Sequence, residues 1–136
     1  MARGLMYLID TNIWLERLLD QEKSTDVGRF LETVSPSQMM ISDFSMHSIG
    51  VILSRLNKHD VYATFVDDVL LQGGVSLRTV PPAFIRRMVE VMKSFTLDFD
   101  DAYQYVVAEL AQATIVSFDK DFDKTDLIRK TPLELV

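Results

Sequence analysis

The chain has 136 residues, with 20 Asp+Glu against 14 Lys+Arg for a formal charge of −6, and 48% of its residues are hydrophobic. These are the proportions of a globular domain, and five glycines with four prolines are too few for collagen-like or low-complexity chains. The lack of cysteine excludes disulfide scaffolds, thiolate catalysis and Cys-based metal sites, and His47 and His59 alone cannot furnish a three-His metal site.

At this length the expectation is one domain spanning residues 1–136, large enough to bury a real core. The opening residues carry no long apolar segment before Asp10, and no apolar run approaches the ~18 residues of a membrane span. The expected setting is therefore a soluble cytoplasmic protein with no membrane partner.

In chain order, Leu5–Ile9 is a short continuous apolar run stopped by Asp10-Thr11-Asn12. It predicts a strand buried on both faces. Ile13–Leu19 and Val27–Leu31 predict helices. Met39–Ser42 repeats the strand pattern, and residues 43–57 predict a helix with Leu53 and Leu56 toward the core. Val61, Phe65, Val66, Val69 and Leu70 fall on one helical stripe that Gly73-Gly74 ends,. Residues 75–80 alternate like a half-covered strand. After Pro81-Pro82, Phe84, Ile85, Met88, Val89, Met92 and Phe95 form another stripe. Residues 101–112 are apolar nearly all round and predict a central helix. Thr114–Ser117 predicts a strand, and Leu133–Val136 a last edge strand. Strands alternating with helices predict a three-layer α/β/α fold around a parallel sheet of four to five strands. Ligand sites in such sheets lie at the carboxyl ends of the strands.

Three acids fall at that rim. Asp10 follows the first strand, Asp119 follows the Thr114–Ser117 strand, and Asp101 opens the helix feeding that strand. Carboxylates gathered in this way repel one another and need a counter-charge. Hard oxygen donors favour magnesium, with manganese able to substitute. Each acid also has a plain structural role open to it. Asp10-Thr11-Asn12 suits a turn and helix N-cap, Asp98 and Asp100 suit a cap and a solvated first turn, and Asp121 and Asp123 suit a solvated loop. The case for a site rests on the recurrence at three rim positions. An acidic chain holds phosphate poorly unless cations neutralise such groups.

The segments YLIDTNIWLERL, MMISDFSMHSIGVI, LDFDDAYQYVVA and TIVSFDKDF, in this order, resemble the PIN-domain nucleases, particularly the VapC-type toxin ribonucleases. The resemblance runs over nearly the whole chain. It implies a PIN-like fold and hydrolysis of RNA by a metal-activated water, with Asp10, Asp101 and Asp119 as metal-binding catalytic residues. Thr11, Asn12, Ser48, Ser117 and Asp121 are candidates for orienting those carboxylates or a water. One match fails: the family places a glutamate where this chain has Ser48, and neither His47 nor Asp43 is an obvious replacement. His47 is read as structural, because a helical neighbour points ~100° away from position 48.

The resemblance further implies an RNA substrate, a small antitoxin protein as partner, and a homodimer built through helices. Arg17, Arg55, Lys58, Lys120 and Lys124 are the basic residues available for backbone contacts. The competing expectation is a catalytically weakened PIN-like domain acting as an RNA- or protein-binding regulatory module. A phosphatase using Asp10 is disfavoured, since the place for its second acid holds Asn12.

Overall fold

Strand β1 (Tyr7–Ile9), β2 (Met39–Ser42) and β4 (Thr114–Val116) come from the three apolar runs. Their side chains divide by parity, as successive residues of a strand must. Leu8, Met40 and Ile115 enter one core, while Tyr7, Ile9, Met39, Ile41 and Val116 enter the other. Both faces of the sheet are thus covered, which accounts for runs that are apolar without alternation. Full burial of one such aliphatic side chain contributes about 1.5–3 kcal/mol. The computed structural model describes residues 5–136. Met1–Gly4, on which part of the expectation about an export segment falls, lie outside the described residues.

The remaining strands are β3 (Ser76–Arg78) and β5 (Arg129–Lys130), and the five are parallel in the order β3-β2-β1-β4-β5. Tyr7 and Ile9 pair with Thr114 and Val116, and Tyr7 also pairs with Met39. Helices α1 (Thr11–Leu18), α2 (Ser24–Thr33), α3 (Asp43–Arg55) and α4 (His59–Phe65) cover one face. Helices α5 (Ile85–Phe95) and α6 (Phe99–Ala111) cover the other. The result is the three-layer α/β/α arrangement expected. The chain leaves β1 toward β2 and β3, then returns to β4 on the far side of β1. That reversal opens a crevice at the carboxyl ends of β1 and β4.

The structure departs from expectation in four places. Leu133–Val136 is not a strand: Pro132–Leu135 makes a 3-10 turn, closed by reciprocal bonds between Thr131 and Glu134. Pro132 lacks a ladder donor, and the edge is supplied by the polar pair Arg129–Lys130 instead. The stripe around residues 61–70 is α4 followed by a wider π turn, Val66–Leu71, rather than one uniform helix. Leu56 is 50% exposed although Leu53 is buried, because it caps α3 after the helix has left the core. On α5 the buried residues are Met88 and Val91, whereas Phe84, Ile85 and Val89 stay exposed. Among the described residues no helix is long and apolar enough to cross a membrane.

Candidate functional site

Asp10 ends β1 and caps α1 in extended backbone. Its N–H donates to the Val116 carbonyl at 2.9 Å, which locks the β1 end against the β4 end. The carboxylate is buried, with 7% of its residue surface exposed. The Thr11 N–H and Gln104 Nε2 donate to its Oδ1, each at 2.8 Å. Ser117 Oγ donates to Oδ2 at 2.7 Å, and Asn12 Nδ2 approaches that oxygen at 3.4 Å. Burial pushes this carboxyl above its ordinary range, opposed by the bonds from Ser117, Gln104 and Thr11. Four donors hold the side chain in one orientation.

Ser117 joins the two strand ends. It is fully buried, and besides donating to Asp10 it accepts from Asn12 Nδ2 at 3.2 Å and from the Asp119 N–H at 2.9 Å. Asn12 Oδ1 in turn accepts from the Phe118 N–H at 3.2 Å. Asp119 then caps the following 3-10 turn through the Asp121 N–H at 2.8 Å. Thr11 Oγ1 donates to Ser45 Oγ at 2.8 Å, which ties α1 to α3.

Helix α6 brings the third acid. Asp101 lies in its first turn, and Gln104 stands three residues on, along the same helix face,. Burial raises the Asp101 carboxyl to about 7, reinforced by the charges of Asp119, Asp10 and Asp100. This is the mark of burial together with like charges brought close to one another. One carboxylate oxygen from each of Asp101, Asp119 and Asp121 lies within 4.8 Å of the others. Asp10 is outside that tightest group, but it shares a cleft of about 290 Å³ with Asp101 and Asp119. Thr11, Asn12, Ser48, Asp100, Gln104 and Phe44 also line this cleft.

The structure therefore brings Asp10, Asp101 and Asp119 onto one cleft and draws Asp121 toward them, although Asp121 also meets Lys124 at 3.4 Å. Ser48 faces the cleft, while His47 lines a shallower groove beside it. Asp43 is committed elsewhere, since its Oδ1 accepts from the Phe44 N–H at 2.9 Å and from the Tyr103 hydroxyl at 2.6 Å. Asp98 takes the cap position of α6 without a side-chain bond, and Asp123 pairs with Arg129. None of Arg17, Arg55, Lys58, Lys120 and Lys124 lines the cleft. Arg17 lies on Gly28, where an added Cβ would stand 2.8 Å from its guanidinium, and it donates to the Ser24 carbonyl at 3.2 Å.

Gln104 and Asp100 escaped the sequence reading as members of the site. Gln104 is 1% exposed and spends both amide protons, on Asp10 and on Ser45 Oγ at 2.7 Å, leaving Oε1 buried without a partner among the described residues. Its signal was an amide in the middle of the largely apolar run of residues 101–112. A buried polar group of that kind must find a partner. Asp100, whose position suits a solvated first turn, also lines the cleft.

The donor set is all oxygen and predominantly anionic, which fits a hard divalent ion and no thiolate-seeking one. Solved structures share this architecture at low sequence identity. Mycobacterium tuberculosis VapC20, described as a Sarcin-Ricin loop cleaving toxin, aligns with a TM-score of 0.76 at 17% identity, over 90% of this chain and 96% of that one. A toxin–antitoxin complex from Klebsiella pneumoniae gives 0.73 at 18%, over 93% and 97%. FitAcB from Neisseria gonorrhoeae gives 0.72 at 18%, over 93% and 98%. No curated protein matches the chain in sequence. The PIN domain family model matches residues 7–128. With that match spanning the whole sheet up to its last connection, the chain belongs to the PIN domain family.

Proposed function

We propose that this chain is a metal-dependent endoribonuclease that hydrolyses RNA phosphodiester bonds, the VapC-like toxin component of a toxin–antitoxin pair. The observation that carries the reading is the gathering of Asp10, Asp101 and Asp119 at one strand-end cleft, with Asp121 close beside the last two and no cationic side chain among the described residues that line it. PIN domains are typically nucleases, and the similarity to VapC20 and to the Klebsiella toxin–antitoxin complex supports an RNA substrate and a small antitoxin partner. A homodimer in the cytoplasm, with residues 1–136 acting as one domain, completes the reading.

Magnesium fits this donor set, and manganese is the natural substitute. Asp101 and Asp119 would hold the ion, with Asp10 and Asp121 contributing directly or through water. When bound, such an ion polarises a phosphoryl oxygen and lowers the pKa of a water. The protein supplies orientation. Ser117, Asn12, Gln104 and the Thr11 N–H fix Asp10, and the Asp121 N–H fixes Asp119. Ser48, on the cleft wall, can hydrogen-bond a water where the family's glutamate would place a carboxylate.

The test is cleavage of a mixed RNA pool. Cutting is expected with magnesium or manganese and is expected to vanish with EDTA. Asp10→Asn and Asp101→Asn should each lose at least about a hundredfold in rate, since disturbing even the outer contacts of a metal site costs 10–100-fold. Undiminished cutting by both variants would refute the assignment. Ser48 in the glutamate position favours one second reading, a catalytically weakened PIN domain serving as an RNA- or protein-binding regulatory module. Titration calorimetry separates the two: absence of manganese binding at millimolar concentration selects the regulatory module.

A further inference from the structure

Among the described residues, those lining the acidic cleft include no Lys or Arg, and the chain as a whole carries a charge of −6. Sequence-independent affinity for RNA comes chiefly from such cations, so on the nuclease reading a strand beside the acids relies on the bound ion and on contacts other than Lys or Arg. One aromatic ring lines the cleft and two more adjoin that ring. Phe44, near the start of α3, lines both the cleft and an adjoining groove of about 480 Å³ that runs past His47, Ser48, Val51 and Ile52. Phe99 opens α6, two residues before Asp101, and is 50% exposed. Tyr103 lies one helical turn beyond Phe99 on α6: its centroid is 5.7 Å from Phe44 and 6.2 Å from Phe99, while Phe44 and Phe99 are 6.2 Å apart.

The cluster is held in place by polar bonds. The Tyr103 hydroxyl donates to Asp43 Oδ1 at 2.6 Å and accepts from the Val80 N–H at 3.0 Å, and the same Asp43 oxygen holds the Phe44 N–H. Asp43, which does not line the acidic cleft, holds the Tyr103 ring by its hydroxyl and Phe44 by its backbone. The rings are tilted against one another at 31° to 51° and therefore do not satisfy one another by flat stacking. An exposed ring ordered in this way offers its face to another flat group.

We propose that Phe44, Phe99 and Tyr103 form a stacking platform for a nucleobase of the strand being cut. The proposal rests on the nuclease reading and names what that site recognises. A duplex hides its base faces, so only unpaired nucleotides can use the platform. Stacking on an aromatic side chain contributes about 1–3 kcal/mol per base and tolerates any sequence. With few cations engaged, the affinity should also depend weakly on salt, since the slope for single strands is about −0.7 per phosphate neutralised.

The experiment measures fluorescence anisotropy of a fluorescein-labelled, unstructured RNA octamer and of a labelled RNA duplex. Calcium replaces magnesium, so that binding is read without turnover. Wild-type protein is expected to prefer the octamer. Phe99→Ala should weaken octamer binding about tenfold, within the range that stacking supplies, and leave duplex binding unchanged. Phe99→Trp should restore octamer affinity, and Leu71→Ala, which removes an apolar side chain exposed away from the cleft, should have no effect. In magnesium the Phe99→Ala loss should appear in KM more than in kcat. Octamer affinity unchanged in Phe99→Ala, or lost equally in Phe99→Trp, would overturn the platform. So would a shift of Phe99→Ala from dimer to monomer in sedimentation with RNA affinity intact, which would make the rings a contact between copies. Preferential octamer binding that depends on Phe99, without any cutting in magnesium or manganese, would sustain the platform and refute the nuclease reading.

Discussion

Two concave regions flank α1, and they differ in almost every physical respect. Thr11, Asn12 and Leu15 face the acidic cleft of about 290 Å³. Trp14, Arg17 and Leu18 face a larger apolar cavity of about 420 Å³, completed by Leu31, Val61, Phe65 and Val69. The cavity gains its shape from rings and aliphatic groups, with Trp14 packed edge-on against Phe65 at 5.3 Å. The cleft gains its shape from hydrogen bonds to carboxylates, and it retains like charges that burial and one another hold above their usual range. Uncompensated charge marks the place where chemistry is expected. The smaller region is the functional candidate for that reason.

If the two regions are independent, damage to one should spare the other. The largest expected effect is Phe65→Ala, which enlarges the cavity and removes the ring that Trp14 packs on. It should cost about 3–5 kcal/mol in urea denaturation while leaving manganese binding at the cleft unchanged. Loss of manganese binding in the folded variant would show that α1 couples the two regions.

A smaller effect concerns the charge held in the cleft. The folded protein keeps a proton on Asp101 up to about 7, whereas the unfolded chain releases it near 3.8. Between these values the folded state binds more protons, so its stability falls as pH rises through that window. The raised Asp10 carboxyl acts in the same direction. The melting temperature of metal-free protein should therefore drop between about pH 5 and about pH 8. Asp101→Asn should flatten the profile, and added magnesium should recover the loss at the higher pH. A wild-type profile that is flat or rises with pH would break the contrast between the two regions.

The smallest effect sharpens the departure at position 48. Ser48→Glu adds a carboxylate to the cleft wall, and charge count tunes affinity for hard cations. Manganese binding by calorimetry should tighten by about tenfold. No change would mean that residue 48 does not face the ion.

How much of this was legible beforehand differs by element. β2 emerges with the bounds Met39–Ser42 expected from its apolar run, and β1 and β4 form inside theirs. Strands covered on both faces announce themselves locally, through side chains that water cannot accommodate. The C-terminal segment misled because Leu133 and Leu135 have strand-like spacing, while the backbone there is governed by Pro132 and the Thr131–Glu134 bonds. On α5 the apolar stripe was real, yet which of its residues were buried depended on where α6 lay.

The positions of Asp10, Asp101 and Asp119 at strand and helix ends were readable because each follows or precedes a pattern that the sequence carries locally. That Asp121 lies close to Asp101 and Asp119 was decided by the turn after β4. That Gln104 holds Asp10 from 94 residues away, and that Asp43 fixes the aromatic cluster rather than joining the acids, was decided by how α3 and α6 meet across the sheet. Hydrophobic periodicity sets which face of an element is buried, because burial depends on each residue's own surface. Polar partnership depends on register between elements distant in sequence, so only the tertiary structure determines it.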